Sequence, residues 1–251
     1  MIEGSRSMGR EARLDIHNSE VPVLCRACEA RHRGICGALD ADQLVELNKH
    51  ASRKRTESGA RLFGDTDEVV NYSNILSGVI KLTKMLADGR QQIVGLQFAP
   101  DFLGRPFRQE RNVDAEAATD VSLCSFPKAA IDRMIAENPD LEHKLLEQAL
   151  KELDEAREWM VTLGRKTAAE KVASFLLLIG RHSDPEAVDA DGPIVFDLPL
   201  TRADIADFLG LTIETVSRQL TRLRKEGVIS IENNRRITVP DLERLESRAE
   251  A

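Results

Sequence analysis

Between Leu200 and Val239 the chain carries a dense run of helix start and stop signals. Thr201-Arg-Ala-Asp204 is a capping box, in which a hydroxyl and a carboxylate three residues apart each satisfy an orphan backbone N–H at a helix start. Ile205, Ala206, Phe208 and Leu209 give that helix one apolar side, and Gly210 suits the left-handed position that ends it. Leu211 fills the turn, and Thr212 caps a second helix predicted from Ile213 to about Glu226. Val216, Leu220 and Leu223 recur at helical spacing on its inner face, which leaves Glu214, Ser217, Arg218 and Arg222 pointing outward. Gly227 closes this helix. Two β-prone runs, Val228 to Glu232 and Arg236 to Val239, then flank Asn233-Asn234 as a wing. The pattern predicts a winged helix-turn-helix with an exposed polar first turn on its second helix.

Charge adds a second constraint. The chain has 251 residues and a net charge of −7, which taken alone argues against a polyanionic partner. From Thr212 to Val239, however, six basic residues stand against three acidic ones. A basic patch on an acidic protein is the expected mark of a face that meets phosphate; a solvated charged helix is the plain alternative. An Arg in the first turns of such a helix can bond guanine O6 and N7 together, and a Glu can accept from cytosine N4. Glu214, Ser217 and Arg218 are therefore candidates for reading base edges. Glu214 and Arg218 lie four apart, so an intrahelical ion pair is the competing reading. Thr212, Arg235 and Arg236 are better placed for phosphates, which position but do not specify, and Arg222 shares the outward face.

Upstream, the texture changes twice. From about residue 53 to 127 short β-prone runs appear: Arg61 to Phe63, Val69 to Ile75, Gly78 to Met85, Gln91 to Phe98 and Val121 to Phe126. Turn signals at Ser58-Gly59, Ser77-Gly78, Asp88-Gly89 and Ala99-Pro100-Asp101 separate them, as in a small antiparallel barrel or jelly roll. A short amphipathic helix precedes them near Leu39, with Leu44 and Leu47 on the same face and Asp40 and Asp42 in its first turn. After Pro139, Leu146, Ala149, Leu153, Ala156, Met160 and Leu163 follow a 3,4 spacing, a heptad seam that predicts a helix–helix interface between two copies; a lone amphipathic helix packed on its own domain is the plain alternative. The alanines bury little, and Glu147, Glu152, Asp154, Glu155 and Glu158 crowd alongside, so the pairing is expected to be weak and switchable. Beyond it, an apolar helix runs through Val172 to Ile179, and a loop from Asp184 to Pro193.

The expected fold class is α+β. Its units are a flexible tail (1–20), a cysteine-bearing loop (21–37), a β-barrel (38–138), a dimerisation helix (139–165) and the winged helix-turn-helix (166–245). The longest apolar runs are far too short for a bilayer and the N-terminus lacks the apolar core of a signal peptide, so a cytoplasmic protein without membrane contact is expected. No Walker loop, GxSxG or HExxH motif is present, and an enzyme is not expected.

Four cysteines complete the picture. Cys25-x2-Cys28-x7-Cys36 puts three thiols in one short segment, with Cys124 far off in a β-prone run. In a reducing compartment such a cluster points to metal or redox work rather than disulfides. Soft thiolates select iron–sulfur clusters, zinc or copper(I), and unrelated core thiols are the bland reading. His32 lies between the second and third cysteines and is left out, since the thiols already number four.

Leu200-Thr-Arg-Ala-Asp-Ile-Ala206 and Leu209-Gly-Leu-Thr-Ile-Glu-Thr-Val-Ser-Arg218 closely resemble the helix-turn-helix of the CRP–FNR superfamily. The order of barrel, long helix and helix-turn-helix is similar over residues from about 38 to 240. The resemblance implies a cyclic-nucleotide-binding-like barrel and a homodimer. Glu214-x-x-Ser217-Arg218 looks like the FNR branch, where such residues read a TTGAT-type half-site in double-stranded DNA and the dimer reads an inverted repeat. That branch implies a 4Fe–4S cluster on Cys25, Cys28, Cys36 and Cys124, oxygen sensing, and DNA binding while the cluster is intact. The cysteine spacing is similar to proteins of photosynthetic and nitrogen-fixing proteobacteria. The hairpin tip Ala87-Asp88-Gly89-Arg90 is the implied contact for RNA polymerase in activation; a plain solvated turn is the alternative. Two other readings stay open: a small-molecule-gated regulator, and a zinc-stabilised DNA-binding regulator without redox sensing. Against the first, the stretch from Ala99 to Arg108 holds Arg105 and Arg108 but lacks the Glu and the Arg-Ser pair that hold a cyclic phosphate.

Overall fold

The computed structural model describes residues 21–183 and 192–250. The expected tail 1–20 and most of the Asp184–Pro193 loop lie outside the described residues.

Eight strands build the barrel: β1 (Ser52–Thr56), β2 (Arg61–Phe63), β3 (Asn71–Ser77), β4 (Val79–Met85), β5 (Gln91–Phe98), β6 (Phe102–Leu103), β7 (Asp114–Ala117) and β8 (Val121–Pro127). They form two antiparallel sheets, ordered β1-β8-β3-β6 and β2-β7-β4-β5. Ile75, Ile80, Leu103, Val121 and Leu123 fill the space inside. The β4–β5 hairpin turns at Asp88-Gly89, where Gly89 adopts φ 85°, a conformation that glycine reaches without steric cost. Three strands lie outside the β-prone runs read from the sequence. β1 is Ser-Arg-Lys-Arg-Thr, an edge strand with four exposed residues; β7 is Asp-Ala-Glu-Ala; β6 has two residues. Their neighbours recruit them, because strand preference depends more on context than on the residue.

The cysteine-bearing segment is more ordered than the loop expected. It consists of 3-10 turns at Val23–Cys25 and Ile35–Ala38 around helix α1 (Glu29–His32). Helix α2 (Ala41–His50) starts two residues after Leu39, since Asp40 is its cap and pairs reciprocally with Gln43. A further helix, α3 (Lys128–Glu137), follows the barrel without having been foreseen. Helix α4 (Pro139–Arg165) has 27 residues and is capped by Asn138, whose side chain accepts from the amides of Asp140 and Leu141.

Helix α5 (Ala168–Ser183) and strand β9 (Ile194–Asp197) lead into α6 (Arg202–Leu209), α7 (Ile213–Lys225), β10 (Ser230–Glu232) and β11 (Arg236–Val239). The wing has a third strand not anticipated, in the order β10-β11-β9. Helix α8 (Leu242–Glu250) carries the unit past its expected limit of 245, with Leu245 and Ala249 buried.

The C-terminal unit shares a core with the barrel: Ile93 and Phe98 of β5 join Phe175, Ile205 and Phe208. Polar contacts set the register of this joint. Lys81 of β4 is 9% exposed at its side chain and donates to Asp204 Oδ1 at 2.6 Å and Glu116 Oε1 at 2.9 Å. Burial opposes the Lys81 charge, but these two carboxylates outweigh it and hold the ammonium pKa above its ordinary value. Gln92 Nε2 donates to the Phe208 carbonyl at 3.1 Å, and the Phe98 ring stacks on His182 at 4.1 Å. Lys81→Ala leaves Asp204 and Glu116 without their shared cation; the expected loss is about 3 kcal/mol of folding stability, the range for breaking a buried pair. A urea unfolding curve measures it, and an unchanged midpoint would contradict this account of the joint.

Candidate nucleic-acid interface and thiol-lined cavity

The first helix of the helix-turn-helix begins as its sequence demands. Asp204 N donates to Thr201 Oγ1 at 3.1 Å and Thr201 N donates to Asp204 Oδ2 at 3.1 Å. The other Asp204 oxygen takes the Lys81 ammonium. Gly210 ends α6 at φ 61°, and Thr212 Oγ1 accepts from Thr215 N at 3.2 Å to start α7. Val216, Leu220 and Leu223 are buried, while Thr212, Glu214, Ser217 and Arg218 are exposed.

No ion pair joins Glu214 to Arg218 among the described residues; Arg218 Nη2 instead donates to Thr215 Oγ1 at 3.5 Å. Both of the candidate base-reading charges thus face solvent. Arg222 is more committed than expected, since its Nε donates to Glu226 Oε1 at 2.8 Å while Arg248 holds the other Glu226 oxygen at 3.0 Å. A concavity of about 560 Å³ along this face is lined by Ser217, Arg218, Thr221, Arg222, Lys225 and Glu226. Lys225 belongs to the basic patch already counted in the sequence, whereas Thr221 was not singled out, although helical spacing from Ser217 would have found it. In the wing, Asn233 and Asn234 take φ 49° and 57°, the signature of a tight hairpin turn, and expose Arg235 and Arg236 beside it. Arg202 Nη2 donates to the Asn234 carbonyl at 3.1 Å and ties the wing to the start of α6.

On α4 the heptad positions are largely open to solvent: Leu146 is 55% and Met160 72% exposed, with Ala149, Leu153 and Ala156 also exposed and Leu163 half-buried. Leu150 and Val161 widen this face and were missed. The opposite face packs on the chain itself, through Leu141 and Leu145 at one end and Trp159 against Phe208 at the other. The heptad template drew attention to one apolar stripe of a helix that has two.

The four thiols converge from different elements. Cys25 ends a 3-10 turn, Cys28 caps α1, Cys36 lies in the second 3-10 turn and Cys124 in β8. All four line one cavity of about 190 Å³, with Leu24, Leu44, Leu47 and Phe126 among its other walls. No carboxylate or imidazole lines it; His32 instead contacts the Arg26 carbonyl. Burial and the neighbouring thiols push the Cys36 thiol up to about 12 and Cys124 to about 11; burial also raises Cys25. A cation in the cavity would reverse this, because a coordinating thiol is deprotonated outright. Among the described residues no three His, Cys, Asp or Glu side chains converge on a single-ion site. Four soft sulfurs around an apolar cavity fit a cluster of several irons in donor type and in number.

The stretch Ala99–Arg108 folds over a separate cavity of about 510 Å³ against α4, walled by Phe102, Pro106, Phe107, Leu145, Leu146 and Glu152 among others. Neither Arg105 nor Arg108 lines it. No helix among the described residues is long and apolar enough to cross a membrane.

Two domain patterns match this architecture: the Crp-like helix-turn-helix domain over residues 170–248 and the cyclic nucleotide-binding domain over residues 53–138. A probable transcriptional activator of Rhizobium leguminosarum bv. viciae is 58% identical over 235 residues, 94% of this chain and 97% of that protein. The chain belongs to the Crp/Fnr family. The transcriptional activator protein FnrL of Cereibacter sphaeroides is 41% identical over 90% of this chain and 93% of its own length. The solved structure of FixK2 from Bradyrhizobium japonicum superposes with a TM-score of 0.72 at 30% identity, covering 80% of this chain and 98% of that one. These relatives are regulators with a DNA-binding domain, so the expectation that the chain is not an enzyme holds, as does the expected fold class. On a specific duplex, Arg218→Ala should cost about 1–3 kcal/mol and relax preference at one base pair. Arg235→Ala should weaken binding evenly across sequences and lower the salt slope by about 1. Fluorescence anisotropy over a salt series separates the two effects.

Proposed function

We propose that this chain is an oxygen-responsive transcriptional activator. It binds a TTGAT-type inverted repeat in double-stranded DNA as a homodimer while Cys25, Cys28, Cys36 and Cys124 hold a 4Fe–4S cluster. One observation carries the sensing half: three thiols from the N-terminal segment and one from β8 line a single cavity. When bound, the cluster supplies an oxygen-labile link between that segment and the barrel.

The chain's own packing connects this cavity to the DNA-binding unit. Ile35, next to Cys36, is buried with Leu141 at the start of α4, and Leu145 packs against the same cluster of side chains. The seat of the segment therefore bears on the helix that carries the dimer face. That face is apolar at Leu146, Leu150, Leu153, Met160 and Val161, yet it is flanked by Glu147, Glu152, Asp154, Glu155 and Glu158. Its weak attraction makes the dimer population sensitive to a few kcal/mol applied elsewhere. Two-fold pairing would present two α7 helices to half-sites about one helical turn apart. Glu214, Ser217 and Arg218 read bases; Thr212, Arg235 and Arg236 hold phosphates, and Arg222 joins the same face braced by Glu226. The hairpin tip Ala87–Arg90, with Asp88 and Arg90 paired at 2.8 Å, is the proposed contact with RNA polymerase in the cytoplasm. The functional units follow the boundaries 21–37, 38–138 and 139–165, with the DNA-binding unit running from 166 through helix α8 to Glu250.

One feature weighs against the small-molecule-gated reading. The cavity under Ala99–Arg108 has Glu142 and Glu152 in its wall and no Arg or Lys, a poor seat for a cyclic phosphate. A four-thiolate zinc site uses the same donor set with its sulfurs about 2.3 Å from one ion, so metal analysis decides between zinc and a cluster.

Anaerobic purification with absorption, iron, sulfide and zinc assays tests the proposal. A brown protein with about four irons per chain that bleaches in air is the expected result; a colourless protein with one zinc would overturn the sensing half. Leu153→Glu should leave the brown chromophore intact but shift the protein to monomer and abolish binding to the two-half-site DNA, as read by sedimentation velocity and gel shift.

A further inference from the structure

Cys124 lies at the centre of a row across three strands. Arg53 on β1 and Asn74 on β3 are its lateral partners on either side. Both reach the cysteine-bearing segment: Arg53 Nη2 donates to the Leu24 carbonyl at 2.9 Å, and Asn74 Nδ2 donates to Cys36 Sγ at 3.1 Å. We infer that Asn74 is a positioning residue of the thiol site, donating the hydrogen bond that holds the Cys36 sulfur and stabilises it as a cluster ligand. This deepens the cluster reading above and rests on it.

Asn74 is 1% exposed and shares β3 with the fully buried Tyr72 and Ile75. Its Oδ1 has no hydrogen-bond partner among the described residues. A buried amide half satisfied costs stability, and an apolar side chain of the same shape would fit such a position at no such cost. Packing therefore does not account for an amide here, whereas its single partner does. A neutral thiol is a weak acceptor, while a hydrogen bond to an ionised acceptor is roughly twice as strong as a neutral one. The Asn74 N–H thus contributes most when Cys36 is a ligating thiolate. Hydrogen bonds to ligating sulfurs are among the features that set the potential of iron–sulfur clusters. The same strand row places this donor beside Cys124, so one residue serves the junction between the segment's ligands and the barrel's ligand.

The test compares the wild-type full chain with Asn74→Leu, each reconstituted anaerobically with ferrous iron and sulfide. Thermal melting of the iron-free forms is the structural control. The expected result is an unchanged or higher Tm without iron, together with an iron–sulfur chromophore lost about 10- to 100-fold more readily to a competing chelator, the usual cost of removing an outer-shell partner. Bleaching in air should accelerate in parallel. Unchanged retention and bleaching would overturn the inference while leaving the cluster reading intact. Should Asn74→Leu not fold, the near-isosteric Asn74→Asp replaces the donor with an acceptor and must show the same loss. A wild-type chain that takes up no iron would remove the cluster reading and this inference with it.

Discussion

Helix α4 is the member on which the other parts depend. Its 27 residues rise about 1.5 Å each, which carries one rigid element from the cysteine-bearing segment to the DNA-binding unit. At its start Leu141 is buried with Ile35 and Tyr72; near its end Trp159 lies 4.6 Å from Phe208. Its inner face therefore contacts both the cysteine-bearing segment and the helix-turn-helix unit, while its outer face carries exposed apolar side chains. A helix apolar on two sides is stable in a soluble protein when both sides find cover. One is covered here by the chain itself, and the other suits a second copy.

The joint between barrel and helix-turn-helix has a different character. Its area is apolar, built on Ile93, Phe98, Phe175 and Phe208, but its orientation rests on Lys81. That ammonium meets the same carboxylate that closes the capping box of α6. A buried ion pair of this kind adds little net stability over an apolar substitute, and its directional demand is what distinguishes it. The start of the first DNA-binding helix is thereby tied to a barrel strand more than a hundred residues earlier. In this arrangement Glu214 and Arg218 remain exposed on α7.

How much of the site was legible depended on how local each signal is. The helix-turn-helix could be read almost residue by residue, because caps, a left-handed glycine and helical spacing act within a few residues of one another. Thr201, Gly210 and Thr212 each do in the structure what their chemistry predicts. The long helix was legible for the same reason, yet the heptad template missed Leu150 and Val161. The thiol spacing suggested a ligand set, but neither Asn74 nor Arg53 stands out in the chain. A single Asn in an apolar run and an Arg in a charged run acquire meaning only when β1, β8 and β3 align.

By itself the sequence determined the order of units, the type of nearly every long element and the identity of the four thiols. Those features follow from backbone capping, side-chain periodicity and soft-ligand chemistry, all carried by nearby residues. The tertiary structure alone decided that Cys124 meets the other three thiols in one cavity and that Asn74 donates to Cys36. It also decided that Lys81 pairs with Asp204 and that strands as unpromising as Ser52–Thr56 and Phe102–Leu103 join the sheets. These depend on contacts between residues far apart in the chain, whose pairing is selected by burial and strand register, and no local pattern encodes them.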